Sequence, residues 1–317
     1  MESKSPILEV KNLTKVFKNK ESFVAVNNIS FDLRQGEVLG LLGANGAGKT
    51  TTIQMLLSTL KPTDGSILYF GKNLSSHRSD ILRQVAFAST YISLPWNMTV
   101  EQNLNVFGRL YGLTDSQIKQ RRNTLLERFG IESKLKSKVS SLSAGQITRL
   151  VLVKAFMMKP KIALLDEPTA SLDPDIAKDI IHFVLEQQNK EGVSILFTSH
   201  NMTEVAEVCD RILFMQNGSI IADDTPESLA KSASTSTVEL VFNEGMDHAI
   251  GIVTHLGLSF YVDHRTLILE LDEFHVATVL TNFAKSGVLY SGIKIHEPTL
   301  EDYFLKMVKQ NKTRNAL

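Results

Sequence analysis

Residues 43–50, Gly43-Ala44-Asn45-Gly46-Ala47-Gly48-Lys49-Thr50, restrict this chain more than any other stretch. They fit the pattern G-x-x-x-x-G-K-[ST]. Val38–Leu42, just ahead, is short and apolar, as a buried strand is. Thr50 to Leu60, just behind, reads as a helix that Lys61-Pro62 stops. Strand, glycine turn and helix in this order suit an anion. The glycines let backbone N–H groups close on phosphates with no Cβ in the way. The helix start adds its dipole. Lys49 is placed to reach β- and γ-phosphates, and the Thr50 hydroxyl to hold Mg²⁺.

Further motifs follow in order. Ile162-Ala163-Leu164-Leu165 is an apolar strand that ends in two carboxylates, Asp166 and Glu167. The first can face a metal ion. The second can orient or deprotonate a water, as a general base within hydrogen-bond reach does. Taken alone, such a pair is as often a strand cap. Leu142-Ser143-Ala144-Gly145-Gln146 precedes a helix-like run, Ile147 to Met158, and offers a second phosphate cradle at a helix start. As an isolated pentapeptide it is also ordinary loop chemistry. Ser171-Leu172-Asp173 comes just after the carboxylate strand, and His200 ends the next one, Ile195–Ser199.

This set, in this order, resembles the ATP-binding subunit of ABC transporters over about residues 6–230. The resemblance implies a P-loop NTPase fold of the ABC type, with a RecA-like core, an antiparallel β-subdomain and a helical subdomain at about 88–158. It implies that Gly43, Ala44, Asn45, Gly46, Ala47, Gly48, Lys49, Thr50 and Thr51 bind ATP, with Thr50 and Asp166 on Mg²⁺. Glu167 becomes the catalytic base, and His200 the switch that senses the γ-phosphate. Ser143, Gly145 and Gln146 form the signature that contacts the nucleotide held by another subunit, and Asp173 belongs to the D-loop. Phe17 matches the aromatic that stacks on adenine, with Phe23 in competition. Trp96 and its neighbours fall where the family meets its membrane subunit. One of the two signature glycines is Ala144 here, acceptable unless that position needs positive φ. The family's Q-loop glutamine aligns with Thr90, which leads us to expect altered coupling or slower turnover.

The remaining chain reads as short strands at Ile7–Val10, Phe23–Val26 and Ile29–Leu33, a turn at Asp64-Gly65, and helices from about 88 to 158. Thr114 and Gln117 form a capping box that opens a helix from Asp115 to Phe129. Strands alternating with helices predict an α/β sheet covered on both faces. A small, polar segment at Lys231–Thr237 marks a boundary. Beyond it, Val238–Phe242, Met246–Leu256, Phe260–Asp263, Thr266–Leu271, Phe274–Lys285 and Leu289–Ile295 read strand, helix, strand, strand, helix, strand. That order predicts a small α+β, ferredoxin-like domain at about 237–310, with a last helix from Leu300 to Val308. It looks like the accessory domain of many ABC exporter ATPases.

Composition narrows the partners. The 34 basic and 34 acidic residues balance, so nothing electrostatic predicts nucleic acid. No apolar run reaches the roughly 18 residues of a membrane span. Cys209 is the only cysteine, which leaves no intrachain disulfide and suits a reducing compartment. The N-terminus leads straight into a strand-like segment, and no secretory signal is expected. The resemblance therefore implies a peripheral protein on the cytoplasmic face of the cell membrane. Its partners would be an integral membrane permease and a second ATP-binding subunit, a copy or a paralogue. Ribosome-acting relatives carry two nucleotide domains and a charged linker. DNA-repair relatives carry coiled-coil or zinc insertions. Neither feature is present, and nothing here resembles the guanine-reading motif of GTPases.

Overall fold

The structure is a computed structural model that describes residues 5–18, 22–89, 94–233, 236–271 and 273–314. Thr90, with its expected role in coupling, lies outside the described residues. The chain divides into two compact units that part between Pro226 and Glu227.

The first unit runs β1 (Pro6–Lys18), β2 (Ser22–Arg34), β3 (Val38–Leu42), α1 (Lys49–Leu56), β4 (Asp64–Tyr69), β5 (Lys72–Asn73), α2 (Arg78–Leu82) and β6 (Val85–Ser89). It continues with α3 (Val100–Leu110), α4 (Asp115–Arg128), α5 (Ala144–Phe156), β7 (Ile162–Asp166), α6 (Pro174–Glu191), β8 (Ser194–Thr198), α7 (Met202–Val208), β9 (Arg211–Gln216) and β10 (Ser219–Asp224). Six strands form one sheet in the order β10-β9-β3-β8-β7-β6, and only β10 pairs antiparallel. Every residue of β3, β7 and β8 is buried, which is why their sequences are apolar nearly throughout. A second, antiparallel sheet has the order β2-β1-β4-β5. Its Leu8, Val26 and Tyr69 share one core with Leu39, Leu164 and Leu213 of the parallel sheet and with Ile53 and Leu56 of α1.

Several local expectations are corrected. The short strands expected before residue 34 are two long ones. Asn12 and Asn28 take left-handed backbone (φ 51° and 50°), and the β1–β2 register shifts repeatedly between Val10 and Val16. Such bulges absorb the breaks in alternation and let one strand run on. Asp64-Gly65 is not a free turn but the start of β4, since the irregular stretch of β1 allows Thr14 to pair with Asp64. Helix α1 stops at Leu56, not Leu60. The buried Tyr69 hydroxyl donates to the Leu56 carbonyl (3.1 Å), and Ser58 turns left-handed (φ 55°). The helical stretch begins at Val100, because residues 88 and 89 end β6. Each of α3, α4 and α5 opens on a capping box, at Thr99/Gln102, Thr114/Gln117 and Ser143/Gln146.

The second unit takes α8 (Pro226–Ala233) across its start. It then runs β11 (Ser236–Val241), α9 (Met246–His255), β12 (Phe260–Asp263), β13 (Thr266–Leu271), α10 (Glu273–Lys285), β14 (Gly292–His296) and α11 (Leu300–Arg314). Its four strands pair antiparallel in the order β12-β13-β11-β14. Val238, Leu240, Leu267 and Leu269 pack with Ala249 and Val253 of α9 and Val279 and Phe283 of α10. β14 starts three residues later than Leu289, which is 85% exposed. Among the described residues no helix is long and apolar enough to cross a membrane.

One buried charge cluster ties the two sheets of the first unit. The Arg211 guanidinium donates to Glu37 (2.8 Å), to both Asp223 oxygens (2.9 Å each) and to the Asp32 carbonyl (2.7 Å). Glu37 is 5% exposed, so its charge has little water to fall back on. Removing one partner of a buried pair costs about 3–5 kcal/mol, because the other charge is stranded. Arg211→Met should lower the unfolding free energy of the first unit by about that amount in urea titration. A loss under about 1 kcal/mol would show that water replaces the guanidinium.

Candidate functional site

A glycine cradle is built at the C-terminal end of β3. Gly43 and Gly48 lie at φ 149° and 107°. A Cβ on Gly43 would sit 2.3 Å from the Met215 carbonyl oxygen, and one on Gly48 2.5 Å from that of Ala25. Neither position can carry a side chain without moving backbone. The Lys49 ammonium folds over the loop and donates to the Gly43 carbonyl (2.6 Å) and the Ala44 carbonyl (3.3 Å). Burial lowers its pKa, and the Glu167 and Asp166 charges act the other way.

The carboxylates arrive on β7 and the histidine just after β8. Asp166 and Thr198 are register partners at the ends of these two strands. The Thr198 hydroxyl donates to Asp166 Oδ1 (2.8 Å) and accepts from the Glu167 N–H (3.0 Å). One hydroxyl therefore holds both acidic residues. Glu167 has φ 53°, an unfavourable backbone for a side-chain-bearing residue and the kind of strain that gathers at functional sites. Its Oε1 lies 2.9 Å from His200 Nε2.

Burial, the largest cause, raises the Glu167 pKa above its ordinary 4.5; His200 and Lys49 oppose the shift, and Asp166 adds to it.

A groove of about 750 Å³ joins these parts. Phe17, Asn45, Gly46, Ala47, Gly48, Lys49, Thr50, Thr51, Asp166, Glu167 and His200 all line it, and its size suits a nucleotide. Phe23 lines it too, directly opposite Phe17 across the β1–β2 pair. Lys15 lies over the Phe17 ring, 5.1 Å from its centroid. Ser89 and Thr198 are site residues that sequence reasoning passed over. Their signal was only their place at the ends of β6 and β8.

The groove does not include the remaining candidates. Ser143 is the N-cap of α5, where its hydroxyl accepts from the Gln146 N–H (3.4 Å) and its own N–H donates to Gln146 Oε1 (3.1 Å). Ala144 is the first helical residue of α5, so no positive φ is needed there. Gly145 is buried, and a Cβ on it would meet Ile176 Cδ1 at 2.9 Å. Asp173 is the N-cap of α6, between Leu172 and Pro174, which line a second groove of about 600 Å³. Glu167 and His200 reach that groove as well.

A parallel sheet, a glycine cradle opening a helix, and two carboxylates on the neighbouring strand end define a P-loop nucleotide-binding protein. The ABC transporter family profile matches residues 26–170. The chain is 30% identical over 309 residues to the linearmycin resistance ATP-binding protein LnrL of Bacillus subtilis (strain 168), covering 95% of this chain and 98% of that protein. It is 32% identical over 302 residues to the Nod factor export ATP-binding protein I of Cupriavidus metallidurans, covering 95% and 97%. A solved ATP-binding subunit of an ABC transporter superposes with TM-score 0.66 at 29% identity, over 71% of this chain and 92% of that one. The chain belongs to the ABC transporter ATP-binding subunits, and its fold is that of an ABC ATPase.

A folded-state pKa above the unfolded one means that folding favours the protonated acid. The stability this gives is complete below the unfolded pKa and is lost as pH rises through the folded one. Glu167→Gln removes that loss and keeps an oxygen toward His200. At pH 8 its Tm in thermal unfolding should exceed that of wild type, because the buried carboxylate is ionised there. The gain should shrink as pH falls toward 4.5. A gain equal at pH 8 and pH 5 would rule out burial of the ionised carboxylate as its source.

Proposed function

We propose that this chain is the engine of an ABC exporter, closing as a pair around two ATP molecules and driving a separate membrane permease. The pair is two copies, or one copy and a paralogue. The observation that carries this is the division of the site. The cradle, Asp166, Glu167 and His200 share one groove, while Ser143, Gly145 and Gln146 start a helix that does not line it. A second subunit supplies that helix start to the nucleotide held here. Export is supported by relatives named for resistance and export. A net charge of zero argues against nucleic acid as the partner, and the chain works peripherally on the cytoplasmic face of the membrane.

In this mechanism the backbone N–H groups of residues 43–51 and the Lys49 ammonium bind the phosphates. Lys49 exchanges its own carbonyl partners for phosphate oxygens. Phe17, with Phe23 beside it, stacks on the base. The Thr50 hydroxyl and Asp166 are hard oxygen donors lining the same groove, and they fit Mg²⁺, which keeps most of its waters and takes few protein ligands. When bound, that ion neutralises charge on the phosphates. Glu167, with its raised pKa, accepts a proton from the attacking water. His200 orients Glu167 and contacts the γ-phosphate. ATP favours the closed pair over ADP because both halves grip the γ-phosphate, and only such differential affinity can shift an equilibrium. Asp173 lies at the contact between subunits. The second unit is a ferredoxin-like accessory domain, a reading supported by its sheet order β12-β13-β11-β14.

Glu167→Gln should lower turnover at least about 100-fold, the contribution usual for a general base. In ATP and Mg²⁺ the same variant should accumulate as a pair. Pulled from detergent-solubilised native membranes, it should bring down a polytopic membrane protein at near-equal stoichiometry. Wild-type turnover in the variant would remove Glu167 from catalysis. Recovery of ribosomes or DNA-bound proteins instead of a membrane chain would overturn the transport reading.

A further inference from the structure

Glu204 stands at the third position of α7, after the N-cap Asn201. A glutamate there ordinarily completes a capping box by accepting from the N-cap N–H. The chain builds that arrangement three times with glutamine, at Gln102, Gln117 and Gln146. Glu204 departs from it. The Asn201 N–H donates to the Ser199 hydroxyl instead (3.0 Å), and Asn201 Oδ1 caps the N–H groups of Thr203 and Glu204 (3.1 and 3.4 Å). The Glu204 carboxylate is thereby released to other partners. Its Oε2 accepts from the Thr169 hydroxyl (2.6 Å) and the Ser199 hydroxyl (3.0 Å), and its Oε1 from the Asn201 amide (3.2 Å).

Those partners belong to two different loops. Thr169 lies two residues after Glu167, in a segment with left-handed backbone at both Glu167 and Ser171 (φ 53° and 60°). Ser199 and Asn201 flank His200. Thr169 and Ser199 are themselves buried, at 7% and 4% exposure. A hydroxyl-to-carboxylate bond of 2.6 Å is at the strong, charge-assisted end of the range. Strained backbone persists only where its surroundings hold it. We propose that Glu204 is a positioning residue, a clamp that joins the loop of Glu167 to the loop of His200 and sets the distance between these two side chains. It touches no reacting atom. The inference rests on the hydrolytic roles proposed above for Glu167 and His200.

The test is steady-state ATP hydrolysis by the full chain with Mg²⁺, together with binding of a fluorescent ATP analogue. The variants are Glu204→Ala, Thr169→Val and the double variant, with Glu167→Gln in the same assay. Misplacing a catalytic group by about 1 Å costs on the order of 100-fold. Glu204→Ala should therefore lower kcat about 10- to 100-fold while KM and analogue affinity stay within about twofold, because the cradle is untouched. Thr169→Val, which keeps volume and removes one bond from the other side, should lower kcat less. The double variant should be no worse than Glu204→Ala, as residues in one network are not additive. Wild-type kcat in both single variants would overturn the clamp, as would losses that multiply. So would a fall in kcat matched by an equal loss of analogue affinity. If Glu167→Gln is inactive and Glu204→Ala is not, this inference alone fails. If Glu167→Gln turns over like wild type, the hydrolytic reading falls and the clamp with it.

Discussion

The parallel register of β3, β8 and β7 is the constraint on which the site depends. Leu39 pairs with Leu196, and Leu196 with Leu164. Neighbouring parallel strands with matched register end within about one residue of the same level, so Leu42, Thr198 and Asp166 deliver their following residues to one edge. Ligands of open α/β sheets bind at that edge for this reason. Burial on both faces keeps the register in place. A slip of one residue would turn each side chain to the opposite face and carry Asp166 away from the cradle. The apolar run that looks least informative in each strand therefore does the aligning, and in β7 and β8 it ends in a polar residue, Asp166 or Thr198, at that edge.

At the edge, strain and burial act on one residue. Glu167 takes an unfavourable backbone and a desolvated carboxyl, and both cost stability. The Thr198 hydroxyl offsets part of this by accepting from the Glu167 N–H while it holds Asp166. Its donor and its acceptor sides are both used, the full capacity of one hydroxyl apart from a second lone pair. His200 Nε2 closes the arrangement at 2.9 Å from the carboxylate. Lys49 is held in a comparable balance. It is desolvated by burial, drawn toward its cationic form by Glu167 and Asp166, and hydrogen-bonded to its own loop. An anion that offers better oxygens than two carbonyls displaces those contacts without further desolvation of the ammonium.

Much of this was legible in the sequence, for physical reasons that differ by element. Gly43–Thr50 was readable because the backbone there excludes Cβ atoms at two positions. Asp166 and Glu167 were readable only in company, because a carboxylate pair ending an apolar strand is as often a cap and gains meaning from the glycine cradle and the Ser143–Gln146 element ahead of it in order. The capping rule found α4 from Thr114 and Gln117, and the same rule applied to Thr99/Gln102 and Ser143/Gln146 would have fixed the starts of α3 and α5. Asn12 and Asn28 were not legible as bulges, since an asparagine between apolar runs reads equally well as a turn. Thr198 was hidden because a threonine ending a strand is ordinary. Its importance comes from Asp166 being its register partner, a pairing 32 residues away in sequence. Glu204 was hidden for a similar reason. Asn201-x-x-Glu204 reads as a helix cap, and only the fold brings Thr169 within reach.

The cap at Ser143 is compatible with the phosphate contact proposed for this helix start. The Ser143 oxygen accepts from the Gln146 N–H, and the Ser143 N–H donates to the Gln146 side chain. Neither bond uses the hydroxyl proton. Nor does either use the N–H groups of Ala144 and Gly145, which, as first-turn donors, have no acceptor within the helix. The capping box therefore fixes the shape of the start without using those donors, and the helix dipole there favours negative charge. Gln146 does this through its amide, with no carboxylate to repel a phosphate, whereas a glutamate in the same box would place an anion there. The contrast with α7 follows the same logic. Its carboxylate at the equivalent position is turned toward two hydroxyls and an amide, all donors, and serves to hold loops together. The same position therefore carries an amide in the helix start proposed to meet a phosphate and a carboxylate in the one proposed to clamp.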